Sequence, residues 1–436
     1  MLLKSLSTVG LHGALALDVR FNPDITLLVG INGSGKTSVL NVVDWLLKPD
    51  LQRLALAEYS SLTLRFMEKD LDYELTAEKH PSSLILSISG TKAPLKPITV
   101  RLHKASHQND EDEDESYRGL SPEKHEMPMW ELLKSFAKPT VISLDRSVAA
   151  ESDEVQYVET ARGTIHRRVR SQSPITYVQE VTSSRYAEFR SKAIENDNEL
   201  KAKIVMSALQ DPELTLRGEA IKPMTRDQIT RLEEKVANYL SGTIKSTDVQ
   251  RQVHRFFDAS RLLTERQRRT KGKRSFVVDF VISQYRQIES LAKAFNDFET
   301  KNSLAFRSLH DYLRAINRFL NDSNKELYFD ESTGKLVFSF ADSGQTERSG
   351  RSVAHLSSGE RQILILFTFL AFASKPRSVF IVDEPELSLH PKWQSDFMDV
   401  FLSLRPEGTQ LLLATHSPDI VGKYKKNCVV LSGSRP

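Results

Sequence analysis

Short apolar segments with strand-like patterning open the chain. Residues 15–21 alternate apolar and polar side chains, which predicts a half-buried strand. The run Ile25–Val29 is almost continuously apolar and predicts a buried strand that leads into a glycine-rich turn. Residues 62–66, 73–76 and 84–88 predict a small antiparallel set, because each segment is rich in β-forming side chains.

Similar patterning returns after residue 325. Residues 326–341 predict a β-hairpin, and an apolar helix is predicted from Ser357 through Phe372. Residues 378–382 and 410–414 predict two further buried strands. Polar residues follow each of these two strands directly, which makes their carboxyl ends the places to search for chemistry.

The middle of the chain has a helical period instead. From about residue 150 to 325 the sequence is charged and helix-forming, and apolar residues at heptad spacing predict one helix from about 276 to 320. Such a helix would be about 65 to 70 Å long at 1.5 Å per residue. Polar Gln284 and Asn302 interrupt the seam, and a polar seam residue can fix the register of paired helices. The region is therefore a helical hairpin or short antiparallel coiled coil, or else an amphipathic bundle packed on the rest of the protein.

A glycine-rich loop follows the strand Ile25–Val29. Residues 30–37 read GINGSGKT, which has the G-x-x-x-x-G-K-[ST] spacing of a phosphate-binding loop between a strand and a helix. Glycines let backbone N–H groups converge on phosphates, and the helix N-terminus adds partial positive charge. Lys36 is predicted to reach the β- and γ-phosphates, and the Thr37 hydroxyl to hold Mg²⁺. We expect a nucleotide to be bound by Asn32, Gly33, Ser34, Gly35, Lys36, Thr37 and Ser38.

Two carboxylates and a histidine follow the two late buried strands. Asp383 and Glu384 come at the end of the first strand, and His416 comes just after the second. Such residues share one edge of a P-loop sheet, so Asp383 is assigned to the Mg²⁺ shell through water. Glu384 is the candidate general base that polarises the attacking water. A lone histidine at a strand end is more often structural, but its spacing from the acids favours a γ-phosphate-sensing role for His416.

The composition describes a soluble globular protein of about two to three domains, with 436 residues, 39% hydrophobic and 27% charged. No apolar run approaches the roughly 20 residues of a membrane span, and the first residues lack the features of a signal peptide. Cys428 is the one cysteine, and we expect it to be a small buried hydrophobe. A single cysteine excludes a disulfide framework within one chain and fits a reducing, cytosolic compartment.

Charge is uneven along the chain, although the net charge is only +3. Residues 110–115 are all acidic and lie in a polar segment that predicts a loop. Basic residues cluster at 162–170 and 261–274. Such clusters are either solvated faces or sites for an anionic partner, such as nucleic acid or an acidic protein.

The segment Ser357-Ser358-Gly359-Glu360 opens the apolar helix, and taken alone it is a helix cap. The order of four motifs along the chain, however, resembles the ATP-binding-cassette (ABC) class of ATPases: the phosphate loop comes first, followed by LSSGE, VFIVDEPELSLHP and LLLATHSP. More narrowly, they resemble the soluble branch with RecF, SMC/Rad50 and the overcoming-lysogenization-defect (OLD) ATPases. The resemblance implies an α/β head, with a P-loop mixed sheet and an antiparallel β subdomain, and an inserted helical hairpin. It divides the chain into an N-terminal lobe at 1–150, a helical insertion at 151–325 and a C-terminal lobe at 326–436.

The resemblance also implies a mechanism with ATP and Mg²⁺. Two chains would sandwich two ATP molecules head to tail, so that Ser357 and Gly359 of one chain complete the site formed by residues 30–38 of the other. Glu384, His416 and Lys36 would be the catalytic residues, and Thr37 and Asp383 the metal-binding residues. A higher homo-oligomer is compatible with the same motifs.

OLD-type proteins continue into a Toprim nuclease domain, and none is expected here after residue 432. The chain resembles the ATPase subunits of bacterial anti-phage systems such as PARIS and Septu, which work with a separately encoded nuclease or toxin. A phage-encoded trigger protein and DNA are further partners under this interpretation. The alternative is a DNA-repair ATPase of the RecF/Rad50 kind. A transporter cassette subunit is disfavoured by the roughly 170-residue insertion and by the form of the signature segment.

Overall fold

A computed structural model describes residues 1–102, 117, 120–142, 155–159, 165–169, 173–208, 225–243, 251, 254–258, 261, 276–341 and 350–432. The predicted acidic loop at 110–115 lies outside these residues. The apolar run at 140–144 predicts a strand that ends in Asp145 and Arg146, and these two charged residues also lie outside the described residues. Most of the basic cluster at 261–274 lies outside them as well. The chain divides into two compact units, Met1–Arg185 with Asp311–Pro436, and Tyr186–His310. The three-part division predicted from the sequence stays a prediction.

Among the described residues, the strands all belong to the first unit. In chain order they are β1 (Leu2–Leu11), β2 (Leu15–Arg20), β3 (Ile25–Val29), β4 (Ser61–Glu68), β5 (Leu71–His80), β6 (Ser83–Ser89), β7 (Ile98–Arg101), β8 (Thr140–Ile142), β9 (Val155–Glu159), β10 (Ile165–Val169), β11 (Lys325–Phe329), β12 (Leu336–Phe340), β13 (Arg351–Ser352), β14 (Val379–Asp383), β15 (Gln410–Ala414) and β16 (Cys428–Val430). The antiparallel pair β9–β10 lies in the region from about 150 to 325, for which the sequence predicts helix-forming character.

The α-helices include two that are much longer than the rest. In chain order the α-helices are α1 (Lys36–Leu47), α2 (Leu51–Leu56), α3 (Met127–Ser135), α4 (Pro174–Ala208), α5 (Arg226–Thr243), α6 (Phe276–Leu320), α7 (Ser358–Thr368), α8 (Pro391–Ser403) and α9 (Pro418–Val421). The two long helices are α4 and α6. The predicted helix from 276 to 320 is confirmed by α6. Among the described residues, no helix combines the length and apolar character that a membrane span requires.

A parallel sheet with strand order β16-β3-β15-β14-β8 forms the centre of the first unit. Strands β14 and β15 are buried along their whole length, as the apolar runs predict. Their register places Asp383 opposite Ala414, and Ala414 pairs with Leu28 of β3. The carboxyl ends of three strands therefore meet at one edge, where the phosphate loop, the acid pair and the histidine follow.

A six-stranded antiparallel sheet with order β2-β1-β4-β5-β6-β7 packs in the same hydrophobic core as α1. It contains the antiparallel set predicted at 62–66, 73–76 and 84–88. The predicted hairpin at 326–341 is also present as β11 and β12. Cys428 in β16 is half-buried rather than fully buried, and burial raises the pKa of its thiol.

The described residues of the unit Tyr186–His310 are helical and form a small core of their own. Leu200 of α4, Ile229 and Leu232 of α5, and Phe295 of α6 are buried together. Asn302, which interrupts the predicted seam, accepts a hydrogen bond from Asn196 at 2.8 Å. This polar pair joins α4 to α6 and fixes one register between them.

Candidate nucleotide-binding site

The phosphate loop and the start of α1 form one wall of a cavity of about 850 Å³. Gly35 caps α1 with φ 93°, and a Cβ atom there would lie 2.9 Å from Leu17 Cδ1, so only glycine fits. No side chain caps the first N–H groups of α1. These groups are therefore free for an anion, as helix N-termini provide. The cavity is lined by His12, Ala14, Leu15, Ile31, Asn32, Gly33, Ser34, Gly35, Lys36, Thr37, Ser38, Glu384, His416, Leu431 and Ser432.

Lys36 is held inside the loop that precedes it. Its side chain is buried, and its Nζ donates hydrogen bonds to the carbonyl oxygens of Gly30 at 3.0 Å and Ile31 at 3.1 Å. Burial lowers the pKa of Lys36, and the nearby negative charges of Glu384 and Asp383 oppose that shift. Two neutral carbonyl oxygens only partly balance the positive charge of the ammonium group. A negatively charged phosphate oxygen would form a stronger hydrogen bond with it.

Thr37, at the start of α1, lies beside Asp383, the last residue of β14. The Thr37 hydroxyl donates a hydrogen bond to the carboxylate of Asp383, a residue that is 8% exposed. Burial raises the pKa of Asp383, and the hydrogen bond from Thr37 works against that shift. Within the described residues, Asp383 Oδ1 is buried without a hydrogen-bond partner. A hydroxyl and a carboxylate with an uncompensated oxygen are the ligand types that Mg²⁺ prefers, so the residues present fit this ion.

Glu384 and His416 face each other at the cavity. Glu384 Oε1 lies 3.3 Å from His416 Nε2, and both side chains remain partly exposed. Glu384 has φ 48°, a left-handed conformation that is uncommon for a residue with a side chain. Its N–H donates to the carbonyl oxygen of Ala414 at 2.9 Å, which ties the end of β14 to β15. Backbone strain of this kind is often found at functional sites, where neighbouring structure holds it.

The predicted signature residues are not part of this cavity. Ser357 is the N-cap of α7 and forms a capping box, in which Ser357 Oγ accepts from Glu360 N–H at 3.4 Å and Glu360 Oε2 accepts from Ser357 N–H at 2.7 Å. Lys325 Nζ lies 2.8 Å from the same Glu360 carboxylate.

At the cavity, the structure brings residues 32–38, Glu384 and His416 together, with Asp383 beside Thr37. Ser357 and Gly359 lie outside the described lining of the cavity in their own chain.

A family model described as an AAA ATPase domain matches residues 12–421. The chain belongs to the AAA ATPase domain family. This match confirms the predicted α/β ATPase fold and the prediction of an ATPase.

Curated relatives match only part of this ATPase domain. The cell division ATP-binding protein FtsE of Mycobacterium tuberculosis is 34% identical over 92 residues, which are 21% of this chain and 39% of FtsE. The energy-coupling factor transporter ATP-binding protein EcfA2 of Bacillus thuringiensis is 32% identical over 88 residues, which are 20% of this chain and 29% of EcfA2. The chain thus spans well under half of the length of these relatives.

A solved structure also aligns with the ATPase domain. It is the Smc head domain with an extended coiled coil, bound to the C-terminal domain of ScpA, from Pyrococcus furiosus. The alignment covers 100% of this chain and 94% of that chain, with 12% identity and a TM-score of 0.38.

Two residues at this site, Glu386 and His12, are not among the site residues predicted from the sequence. Glu386 accepts three hydrogen bonds from the segment Thr415–Ser417, and His12 Nε2 lies 2.9 Å from Ser38 Oγ at the cavity. The position of Glu386, two residues after Glu384, was a usable signal. His12 comes from the β1–β2 turn, and nothing local in the sequence links that turn to the phosphate loop.

Gly359 has a packing role within its own chain. A Cβ atom at Gly359 would lie 2.5 Å from the carbonyl oxygen of Ser388, which has φ 66°. We expect Gly359→Ala to lower the free energy of unfolding by about 1 to 3 kcal/mol, because such overpacking forces the backbone to move. Thermal denaturation of the nucleotide-free protein measures this change. Ser358→Ala, at an exposed position of the same helical turn, is the matched control, and an equal effect of both substitutions would contradict the packing role.

The buried negative charge of Asp383 is expected to lower the stability of the folded protein when no ligand is bound. Because its folded-state pKa is raised, its charged form is disfavoured in the fold, and this penalty is present at neutral pH. We therefore expect Asp383→Asn to raise the Tm of the nucleotide-free protein at pH 7 while it abolishes Mg²⁺-dependent turnover.

Asp399→Asn is the control of opposite sign. Hydrogen bonds from Lys423 and Tyr424 lower the pKa of Asp399, so its charge stabilises the fold at neutral pH. Removal of that charge should lower the Tm slightly. A lower Tm for Asp383→Asn than for the unmodified protein would contradict the assigned penalty.

Proposed function

We propose that this chain hydrolyses ATP with Mg²⁺ at the edge of the parallel sheet. The observation that carries the proposal is the pairing of Glu384 with His416 beside the phosphate loop, at 3.3 Å. The family match supports the reaction class, and the cavity is large enough for a nucleotide. Release of inorganic phosphate from ATP in Mg²⁺, compared with the same protein in excess EDTA, tests the proposal.

The roles of the residues follow from their chemistry. Asn32 to Ser38 present backbone N–H groups to the phosphates, and Lys36 exchanges its two carbonyl partners for phosphate oxygens. Thr37 and Asp383 would hold Mg²⁺, which neutralises charge on the phosphates when bound. Glu384 orients the attacking water and accepts its proton. His416 lies beside Glu384, where it donates a hydrogen bond toward the γ-phosphate region.

We propose further that two chains assemble head to tail around ATP. Ser357 and Ser358 are exposed at the N-terminus of α7, while the cavity of their own chain is lined by other elements. A helix N-terminus with an exposed serine is suited to an anion. The γ-phosphate of ATP bound to a second chain is such an anion, so Ser357 would complete that site with Gly359 shaping the turn. ATP then joins the chains, and hydrolysis releases them; a higher homo-oligomer of such dimers is compatible with this contact.

For the cellular role, we propose the sensor subunit of a cytoplasmic anti-phage complex. The support is the resemblance of the ordered motifs, together with the sequence prediction of a helical insertion at 151–325 between two lobes. The partners would be a separately encoded Toprim-type nuclease or toxin and a phage-encoded trigger protein. Co-purification with the product of the neighbouring gene tests this role, since a bound nuclease-like partner is expected.

The basic turn near 266–274 is the proposed contact for an acidic, DNA-mimicking trigger protein or DNA. Charge reversal of these residues should weaken that binding while ATP hydrolysis is retained. Unchanged binding of both trigger and DNA would exclude this segment. DNA binding that falls steeply with salt, without any nuclease partner, would favour the RecF/Rad50-like DNA-repair alternative instead.

A further inference from the structure

The carboxylate of Glu386 connects the ends of two neighbouring strands. Glu386 lies in the turn after β14, and its Oε1 accepts hydrogen bonds from Thr415 Oγ at 2.8 Å, His416 N–H at 2.6 Å and Ser417 N–H at 3.2 Å. All three donors come from the segment that follows β15. Hydrogen bonds to an ionised acceptor are about twice as strong as neutral ones, so this single oxygen holds the segment firmly.

The segment after β15 is further fixed from its other side. Thr415 is fully buried, and its Oγ accepts from Ser417 N–H at 3.0 Å. Ser417 Oγ donates to Gln394 Oε1 at 2.6 Å and accepts from Ile420 N–H at 3.2 Å. The backbone of His416 is thus held between Glu386 and this network. With its backbone fixed, the imidazole has little freedom besides its side-chain rotamers.

We propose that Glu386 is a positioning residue that sets the His416 imidazole against Glu384. The proposal rests on the proposed function, in which Glu384 and His416 act on the γ-phosphate and the attacking water. Glu386 acts through the backbone of His416, because its bound oxygen contacts that backbone and it is not among the described residues lining the cavity. A displacement of about 1 Å at a catalytic group can cost 100-fold in rate, which sets the scale of the expected effect.

A purely electrostatic role for Glu386 makes a different prediction. Its charge lies close enough to act on both Lys36 and Asp383. Glu386→Gln removes the charge but keeps an oxygen that can accept the three hydrogen bonds. Glu386→Ala removes both. Under the positioning role, Glu386→Gln retains most of kcat and Glu386→Ala loses most of it, whereas an electrostatic role makes the two variants equal.

The decisive experiment is a double-mutant cycle between Glu386 and His416. We expect Glu386→Ala to lower kcat by about 10- to 100-fold with KM for ATP changed less than about threefold, since the hydrogen bonds of Glu386 go to the segment after β15 and not to the phosphate loop. In a His416→Ala background, the same substitution should lower kcat by less than about twofold, because the group it positions is absent. Thermal denaturation and ADP binding confirm that each variant is folded.

Two other outcomes distinguish a failure of the positioning role of Glu386 from a failure of the proposed function of His416. Equal losses from Glu386→Ala in both backgrounds would overturn the positioning role and leave the roles of Glu384 and His416 intact. Full activity of His416→Ala would overturn the proposed role of His416 and this inference with it. If Glu386→Ala does not fold, Glu386→Asp serves in the same cycle, because it keeps the charge and withdraws the carboxylate by one methylene.

Discussion

Glu384→Gln is expected to lower the kcat of ATP hydrolysis by at least about 100-fold and to leave ATP binding intact. Glutamine keeps the shape of the side chain but cannot accept a proton from water, and a general base contributes about 10² to 10⁴ in rate. Glu384 lines the cavity and its Oε1 lies 3.3 Å from His416 Nε2, so the carboxylate faces the region where the γ-phosphate would be cleaved. Phosphate release gives kcat, and binding of a fluorescent ATP analogue gives the affinity.

The same variant should accumulate the ATP-bound dimer. Without hydrolysis the proposed nucleotide bridge between chains is not broken, so light scattering in Mg²⁺-ATP should report twice the 49.5 kDa of one chain. Glu407→Gln removes a carboxylate at an exposed position away from the cavity and should behave like the unmodified protein. Full turnover by Glu384→Gln would show that another group is the base.

Lys36→Ala is expected to weaken ATP binding by roughly 100-fold or more. Charge-assisted hydrogen bonds contribute about 1.5 to 3 kcal/mol each, and Lys36 is positioned to make two of them to phosphate oxygens once it leaves the carbonyls of Gly30 and Ile31. Isothermal titration with ADP and with a non-hydrolysable ATP analogue measures the loss, which should be larger for the analogue because only it carries a γ-phosphate.

Two controls separate charge from packing at this position. Lys36→Met keeps a long apolar side chain in the buried site and should lose affinity like Lys36→Ala. Lys48→Ala, at the other end of α1, removes a lysine paired with Asp44 at 2.9 Å and should bind ATP normally. Retained affinity in Lys36→Met would mean that the ammonium group is not the phosphate ligand.

The parts of the fold that were predictable have local signals. The strand–loop–helix around Lys36 is specified by a short apolar run, fixed glycines and an amphipathic helix, and the structure places these elements as expected. The acids and His416 were also predictable, because β14 and β15 are parallel and end in register. The long helix α6 followed from its apolar heptads.

The parts that could not be predicted depend on contacts between distant segments. The hydrogen bonds of Glu386 require the register of β14 with β15 and a turn in which Glu384 and Ser388 both have positive φ. Glutamate and serine give no sequence signal for that conformation, which glycine adopts most readily. The close approach of Gly359 to Ser388 is likewise a contact in space, and the resemblance to the ABC class implied only a partner-chain role for this glycine.

Helix α4 shows a different limit. It is 35 residues long and is joined to α6 by polar pairs, including Asn196 with Asn302 at 2.8 Å and Lys203 with Asp297 at 3.2 Å. Its sequence is charged and has only a weak apolar stripe, so periodicity did not identify it as the partner of α6. The polar part of this pairing leaves little trace in a hydrophobic pattern.

A mixture of two inactive variants tests the composite site most directly. Lys36→Ala lacks a working phosphate loop, and Ser357→Arg blocks the start of α7, so each homodimer should be inactive. In a mixed dimer, the intact loop of one chain meets the intact Ser357 of the other, and one of the two sites works. With random pairing, the mixture should regain about one quarter of the unmodified activity, since about half of the dimers are mixed. A mixture as inactive as its separate components would contradict the claim that two chains share each ATP.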